Sequence, residues 1–110
     1  MQLEKQKLLE DIRQAAEAVG RYTHGKSRED YLADDQLQAS VERKFEIIGE
    51  ALNRLSHLDP DMVEGIEDYR KIIAFRNTLI HGYSAIDSGI VWDIVKTHLP
   101  KLQAAIQKLL

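Results

Sequence analysis

The chain has 110 residues, of which 44% are hydrophobic and 30% are charged, a balance that favours one soluble globular domain over residues 1–110 and excludes a disordered chain. It contains no cysteine, which excludes disulfide frameworks, thiolate metal sites and cysteine nucleophiles. The net charge of −3 comes without a run of like charges, which argues against nucleic-acid binding through a broad basic face but leaves room for a small basic pocket.

The first twelve residues, MQLEKQKLLEDI, are charged and amphipathic, and they lack the apolar stretch of a signal peptide. No apolar run approaches the ~20 residues that a membrane-spanning helix needs. We therefore expect a cytoplasmic protein that does not bind membranes. With only 2 prolines and 6 glycines, the composition favours an all-α fold.

Apolar residues at helical spacing predict a first helix over residues 3–23. Ser27 and Asp30 have the spacing of a capping box, which predicts a short helix over residues 27–32.

A second long helix is predicted over residues 35–57, with Asp34 as its N-cap. Gly49 lies inside this helix, where a glycine costs roughly 1 kcal/mol relative to alanine. It indicates the close approach of another backbone, in a tight helix pair or a dimer interface, unless the glycine is simply tolerated.

The third main helix is predicted over residues 67–81, and Gly82 follows where a C-terminal glycine would end it. Asp87 or Ser88 would cap a fourth helix, which Pro100 would break or kink. The last ten residues are again amphipathic. These elements predict a single antiparallel helical bundle.

Arg76 lies inside the apolar arc of the third main helix, an arc roughly 160° wide on a helical wheel. A guanidinium in such a place is costly unless it is paired, hydrogen-bonded or open to water. Three explanations stay open. The side chain extends past its neighbours to the edge of the bundle; it pairs with an acid on another helix, for example Glu46 or Glu50; or it faces a cavity or subunit interface that binds an anionic ligand.

His81 follows Arg76 by five residues, about 140° further round an ideal helix, so the two side chains do not stack. Asn77 is the residue that shares the face of His81. Convergence of Arg76 and His81 needs the length of the arginine and an unwound last turn, or a cleft shared by two chains. His81, Gly82 and Tyr83 also suit an ordinary helix end, with the histidine at the negative end of the dipole.

Other chemical sites are not expected. The remaining histidines, His24, His57 and His98, are far apart in sequence and lack a second ligand at metal spacing, so we expect no metal and no cofactor. The sequence contains no glycine-rich phosphate loop and no nucleophile elbow. Trp92 is expected in the core.

The stretch RNTLIHGY, residues 76–83, resembles the R-x-x-x-x-H-x-Y signature of HepT proteins, helical toxins of the HEPN superfamily. The likeness extends to FEIIGEALNRL at 45–55, IVWDIVKTHLPKL at 90–102 and the segment 21–51, in the order and spacing of the family. One departure is VERKF at 41–45, where Lys44 and Phe45 replace the usual polar-aliphatic pair.

The resemblance implies a four- to five-helix bundle that forms a homodimer, with the motifs of both chains in a cleft at the interface. It also implies a metal-independent endoribonuclease that cleaves RNA as the toxin of a type VII-like toxin–antitoxin system. The antitoxin of such a system is a minimal nucleotidyltransferase, which can transfer AMP from ATP to the motif tyrosine.

Carried over to this sequence, the resemblance implies that Arg76 binds the scissile phosphate and His81 acts as general acid or base. It implies that Asn77 orients Arg76 or the RNA backbone and that Tyr83 receives AMP, which would repel and block RNA. The alternative is a non-catalytic helical module that binds the nucleotidyltransferase and its nucleotide or substrate. The acidic net charge of −3 slightly favours that alternative.

Overall fold

The computed structural model describes residues 2–82 and 86–110, and in these residues all regular secondary structure is helical. The elements in chain order are α1 (Gln2–Thr23), α2 (Arg28–Leu32), α3 (Asp35–Leu58), α4 (Pro60–Glu64), α5 (Tyr69–His81), α6 (Ser88–Asp93), a π-helical turn (Ile94–His98) and α7 (Leu99–Leu109). The all-α prediction is confirmed. None of the helices in these residues combines the length and apolar character needed to cross a membrane.

The two longest helices, α1 and α3, form the centre of the bundle. Lys5, near the start of α1, places its ammonium 3.1 Å from the carboxylate of Asp59, directly after the end of α3. The two helices are therefore antiparallel. Their facing residues supply most of the core, and members buried to 2% or less include Leu9, Ile12, Val19, Val41, Phe45, Ile48, Leu52 and Leu55.

The predicted caps at the starts of α2 and α3 are present. The Ser27 hydroxyl accepts a hydrogen bond from the Asp30 N–H, and the Asp30 carboxylate accepts one from the Ser27 N–H. The pKa of Asp30 is lowered, first because the Ser27 backbone N–H donates to its carboxylate and then because of the nearby Ser27 side chain. Asp34 accepts from the Leu37 N–H at 3.0 Å, so α3 begins where the sequence predicts.

In the C-terminal part of the chain, α6 packs against α2. Asp87, rather than Ser88, caps α6, accepting from the Gly89 N–H at 2.8 Å and the Ile90 N–H at 3.3 Å. Trp92 is a core residue, as predicted, and its ring lies 5.4 Å from that of Tyr31.

Pro100 neither ends nor interrupts the helical path. It is the second residue of α7, and the helical path runs into it without a break, so its missing N–H leaves out a bond that another residue would donate to the preceding turn. The chain reaches it through the π-helical turn, in which the Leu99 N–H donates to the Ile94 carbonyl five residues earlier. The predicted break is therefore a change of helical register.

The third main helix begins two residues later than predicted, because Asp68 adopts a left-handed backbone with φ 63° before α5 starts. Its predicted end at His81 is confirmed. Gly82 has φ −109°, which any residue can adopt, so its glycine is not required by a left-handed turn. A Cβ there would instead lie 2.9 Å from the Thr78 carbonyl oxygen.

Candidate functional site

Arg76 packs directly against α3 at Gly49. A Cβ built on Gly49 would lie 2.6 Å from the Arg76 Cγ and closer still to its Cβ, and 3.5 Å from the Ile72 carbonyl oxygen. An alanine at Gly49 therefore cannot fit without moving Arg76. The predicted close approach at Gly49 is present as a tight helix pair within one chain.

The guanidinium of Arg76 is held by two side chains from two helices. One Nη donates to the Glu50 carboxylate on α3, and the other donates to the Asn77 Oδ1 at 2.9 Å. The Arg76 side chain is only 22% exposed. Of the three explanations for an arginine on the apolar arc, the structure supports the ion pair, with Glu50 as the partner. Glu46 instead lies 3.2 Å from Arg43.

Two further features of this pair were not predicted. The Nε of Arg76 is buried, and no residue of the described chain accepts a hydrogen bond from it. Glu50 also lies 3.4 Å from the Nε of Arg54, so one carboxylate serves two arginines. The i,i+4 spacing of Glu50 and Arg54 was the sequence signal for the second contact.

His81 is the last residue of α5, and its side chain is exposed. Within the described residues its imidazole makes no hydrogen bond, to Arg76 or to any other group. The helix stays regular through His81, and the Gly82 N–H closes the last turn by donating to the Thr78 carbonyl at 2.7 Å. The last turn is therefore not unwound in this structure, and it does not join the two residues in one chain. The structure joins Asn77 to Arg76 by a hydrogen bond, and in the described residues neither of them is hydrogen-bonded to His81.

The predicted site residue Tyr83 lies outside the described residues. The tyrosine follows Gly82 directly, so it is two residues from His81 along the chain.

Acidic side chains form a row along α3 beside this site. Glu42, Glu46 and Glu50 are spaced by four residues and so share one face of the helix. The pKa of Glu42 is raised, first by its own burial and then by the negative charge of Glu46. No group of three or more histidine, aspartate or glutamate side chains in the described part of the chain is arranged to hold a metal ion.

The apolar surface of α5 is incompletely covered. Only Tyr69 and Leu79 of this helix are buried, and Ile80 is 38% exposed. An open apolar groove of about 180 Å³ is lined by residues of α3, α5, the π-helical turn and α7, among them Phe45, Ile72, Phe75, Ile94, Leu99 and Leu102. Neither Arg76 nor His81 lines that groove.

Comparison with known proteins identifies the family. The family model described as ribonuclease HepT-like matches residues 12–109. The chain is 35% identical over 105 residues to "Probable ribonuclease HepT" of Thermococcus cleftensis, an alignment that covers 92% of this chain and 91% of the relative.

A second relative, from Methanocaldococcus jannaschii, is named "Gamma-glutamylcyclotransferase and putative RNase". It is 32% identical over 102 residues, which cover 93% of this chain but 46% of the relative. No solved structure matches the chain. The family model and the first relative both extend over nearly the whole helical bundle, including Arg76 and His81. The chain therefore belongs to the HepT-like ribonuclease family of the HEPN superfamily.

Proposed function

We propose that this protein is a metal-independent endoribonuclease that acts as the toxin of a type VII-like toxin–antitoxin system, with Arg76 and His81 as its catalytic residues. The observation that carries the proposal is the arrangement on α5. An arginine is fixed against α3 with part of its guanidinium at the surface, and an exposed histidine follows five residues later in the pattern of the family. Membership of a family named for its ribonucleases supports the same activity.

The proposed reaction uses the 2′-hydroxyl of RNA as the nucleophile. Its oxygen attacks the adjacent phosphorus, and the bond from phosphorus to the 5′-oxygen of the next nucleotide breaks. One proton leaves the 2′-hydroxyl and one reaches the 5′-oxygen, so the protons balance. His81 transfers a proton at one of these oxygens, since imidazole can donate and accept protons near neutral pH. Arg76 stabilises the negative charge that grows on the phosphate oxygens.

The cleft of the proposed enzyme is formed by two chains. Because α5 is regular through His81, its side chain points about 140° away from that of Arg76 on an ideal helix. In the dimer that we propose, the twofold axis lies beside this part of α5, which would bring His81 of the second copy towards the first chain's Arg76. The partly uncovered apolar residues of α5 supply a surface for such a homodimer.

We further propose that a minimal nucleotidyltransferase antitoxin neutralises the enzyme by transferring AMP from ATP to Tyr83. The phenol oxygen would bond to the α-phosphorus of ATP, pyrophosphate would leave, and the phenol proton would pass to solvent. The acceptor would lie two residues from His81 along the chain. A phosphodiester-linked nucleotide there would add negative charge and bulk where RNA must bind, so it would block the substrate by repulsion and occlusion.

The test is the cleavage of a mixed RNA pool in the presence of EDTA. We expect cutting by the wild type and a loss of about a hundredfold or more in His81→Ala and Arg76→Ala, the range typical of removing a general acid or an oxyanion-stabilising group. His57→Ala is the matched control, because His57 is also exposed but its ring bonds the Asn53 carbonyl on α3. Wild type that cuts no faster than His81→Ala would refute the ribonuclease proposal.

The same assay, repeated after incubation with ATP and the nucleotidyltransferase, tests the regulation. Wild type should gain the mass of AMP and lose activity, whereas Tyr83→Phe should keep its activity. Equal AMP addition to both proteins would remove Tyr83 as the acceptor.

The second candidate function is a non-catalytic module that binds the nucleotidyltransferase and its nucleotide or substrate. One observation favours it: the charge of Arg76 is already paired with Glu50, as it would be for a purely structural arginine. In that case the nucleotidyltransferase should bind the protein while RNA stays intact in the assay above.

A further inference from the structure

We infer that Glu50 is a positioning residue for Arg76, and that Gly49 directly before it makes the room in which Arg76 is held. This inference rests on the proposed function, in which Arg76 binds the scissile phosphate. It assigns a role in catalysis to two residues of α3 that lie outside the R-x-x-x-x-H-x-Y motif.

The stem of Arg76 is fixed by contact with the backbone of α3. Because Gly49 has no Cβ, the Cβ and Cγ of Arg76 occupy the space that any other residue at position 49 would fill. The Nε is buried as well, so the side chain is enclosed from its first atoms to the start of the guanidinium. A stem held in this way restricts the rotamers that are open to the side chain.

The head of Arg76 is fixed by acceptors on two helices. Glu50 takes one hydrogen of one Nη, and Asn77 takes one hydrogen of the other. A guanidinium has five N–H donors, and the one on Nε is buried. One donor remains on each Nη, and these N–H groups can donate to the oxygens of an RNA phosphate.

The carboxylate of Glu50 does not neutralise this surface. It is shared between Arg76 and Arg54, whose Nε lies 3.4 Å from it, so the group of three side chains keeps one net positive charge. Glu50 can therefore orient Arg76 while an RNA phosphate is still attracted. A carboxylate that faced Arg76 alone would instead compete with the phosphate for it.

The test compares Glu50→Ala, Glu50→Gln and a matched control, Glu46→Ala. Glu46 lies one turn earlier on the same face of α3, and its partner is Arg43 rather than Arg76. All three variants remove one negative charge near the site, so all three should bind RNA as well as or better than wild type, with KM unchanged or lower. Only Glu50→Ala also removes the acceptor that orients Arg76.

We expect kcat of Glu50→Ala to fall about tenfold to a hundredfold, since a small misplacement of a catalytic group has effects of this size. Glu50→Gln keeps an oxygen acceptor and should retain kcat within about threefold of wild type, as should Glu46→Ala. A loss of kcat with no rise in KM, rescued by glutamine, separates positioning from a general loss of folded protein.

A second readout is independent of RNA cleavage. The Nε–H of Arg76 is buried, so its NMR signal should exchange slowly with solvent in wild type and in Glu46→Ala, and faster in Glu50→Ala. The spectrum of Arg76→Lys identifies the signal by its absence.

The inference is overturned if Glu50→Ala matches Glu46→Ala in both kcat and Nε–H exchange. It is also overturned if glutamine and alanine at position 50 lower kcat equally. If the wild type itself cuts no RNA, the proposed function fails, and the exchange rates still decide whether Glu50 holds Arg76.

Discussion

At the scale of single residues, two partly buried charged side chains on α3 and α5 have opposite surroundings. Arg76 has acceptors from Glu50 and Asn77, so its burial is compensated. Glu42 is partly buried near a second carboxylate, and its pKa is raised by that burial and by Glu46. A raised pKa in the folded state means that the ionised form of Glu42 opposes folding.

Replacing Glu42 should therefore stabilise the protein at neutral pH. The folded pKa of Glu42 lies above its unfolded value, so the penalty is complete above the folded pKa and absent below the unfolded pKa. Glu42→Gln should raise the melting temperature at pH 7, and the gain should shrink towards zero as the pH falls below about 4. Thermal unfolding of both proteins between pH 3 and 8 would check this, and a gain that is the same at every pH would contradict it.

At the scale of elements, local signals predicted the helices well wherever a short-range hydrogen bond fixes the end. The capping box of Ser27 and Asp30 and the cap by Asp34 are examples, since both depend only on residues three positions apart. The start of α5 was missed because it depends on a left-handed backbone at position 68. That residue is Asp68, not the glycine or asparagine that most often indicates such a conformation. The π-helical turn before Pro100 was missed because no residue pattern distinguishes it from an α-helix.

Two helical glycines should respond in opposite ways to alanine. At Gly20, on the exposed face of α1, a Cβ would meet nothing within 4 Å, so Gly20→Ala should stabilise by about 0.5–1 kcal/mol through helix propensity alone. At Gly49 the same change displaces Arg76 and should destabilise by about 1–3 kcal/mol despite the better propensity.

Chemical denaturation of the two variants would measure both effects in the same fold. Gly49→Ala should also cleave RNA more slowly at temperatures where it is fully folded, whereas Gly20→Ala should match wild type. Stabilisation by Gly49→Ala would show that α3 and α5 are not held as closely as the structure indicates.

At the scale of the whole molecule, the sequence could identify Arg76 as misplaced on an apolar arc but could not choose among its partners. That choice depends on which residues of α3 face α5, a tertiary contact that periodicity does not specify. Glu46 and Glu50 share one face, and only the packing at Gly49 decides that Glu50 is the partner. His81 and Arg76 do not meet within one chain, because a regular helix points their side chains in different directions.

This separation predicts complementation between two inactive variants. If the working pair is Arg76 of one chain and His81 of the other, a heterodimer of Arg76→Ala and His81→Ala contains one intact pair. Random mixing makes half of the dimers heterodimers, each with one pair of the usual two, so co-refolded variants should regain about a quarter of wild-type activity. Each variant refolded alone should stay inactive. A double variant that carries both substitutions should also stay inactive when it is mixed with either single variant, because no intact pair can form. Light scattering would show whether the mixed samples are dimeric. If dimeric samples do not regain activity, each site takes both residues from one chain. The regular end of α5 would then have to open when RNA binds.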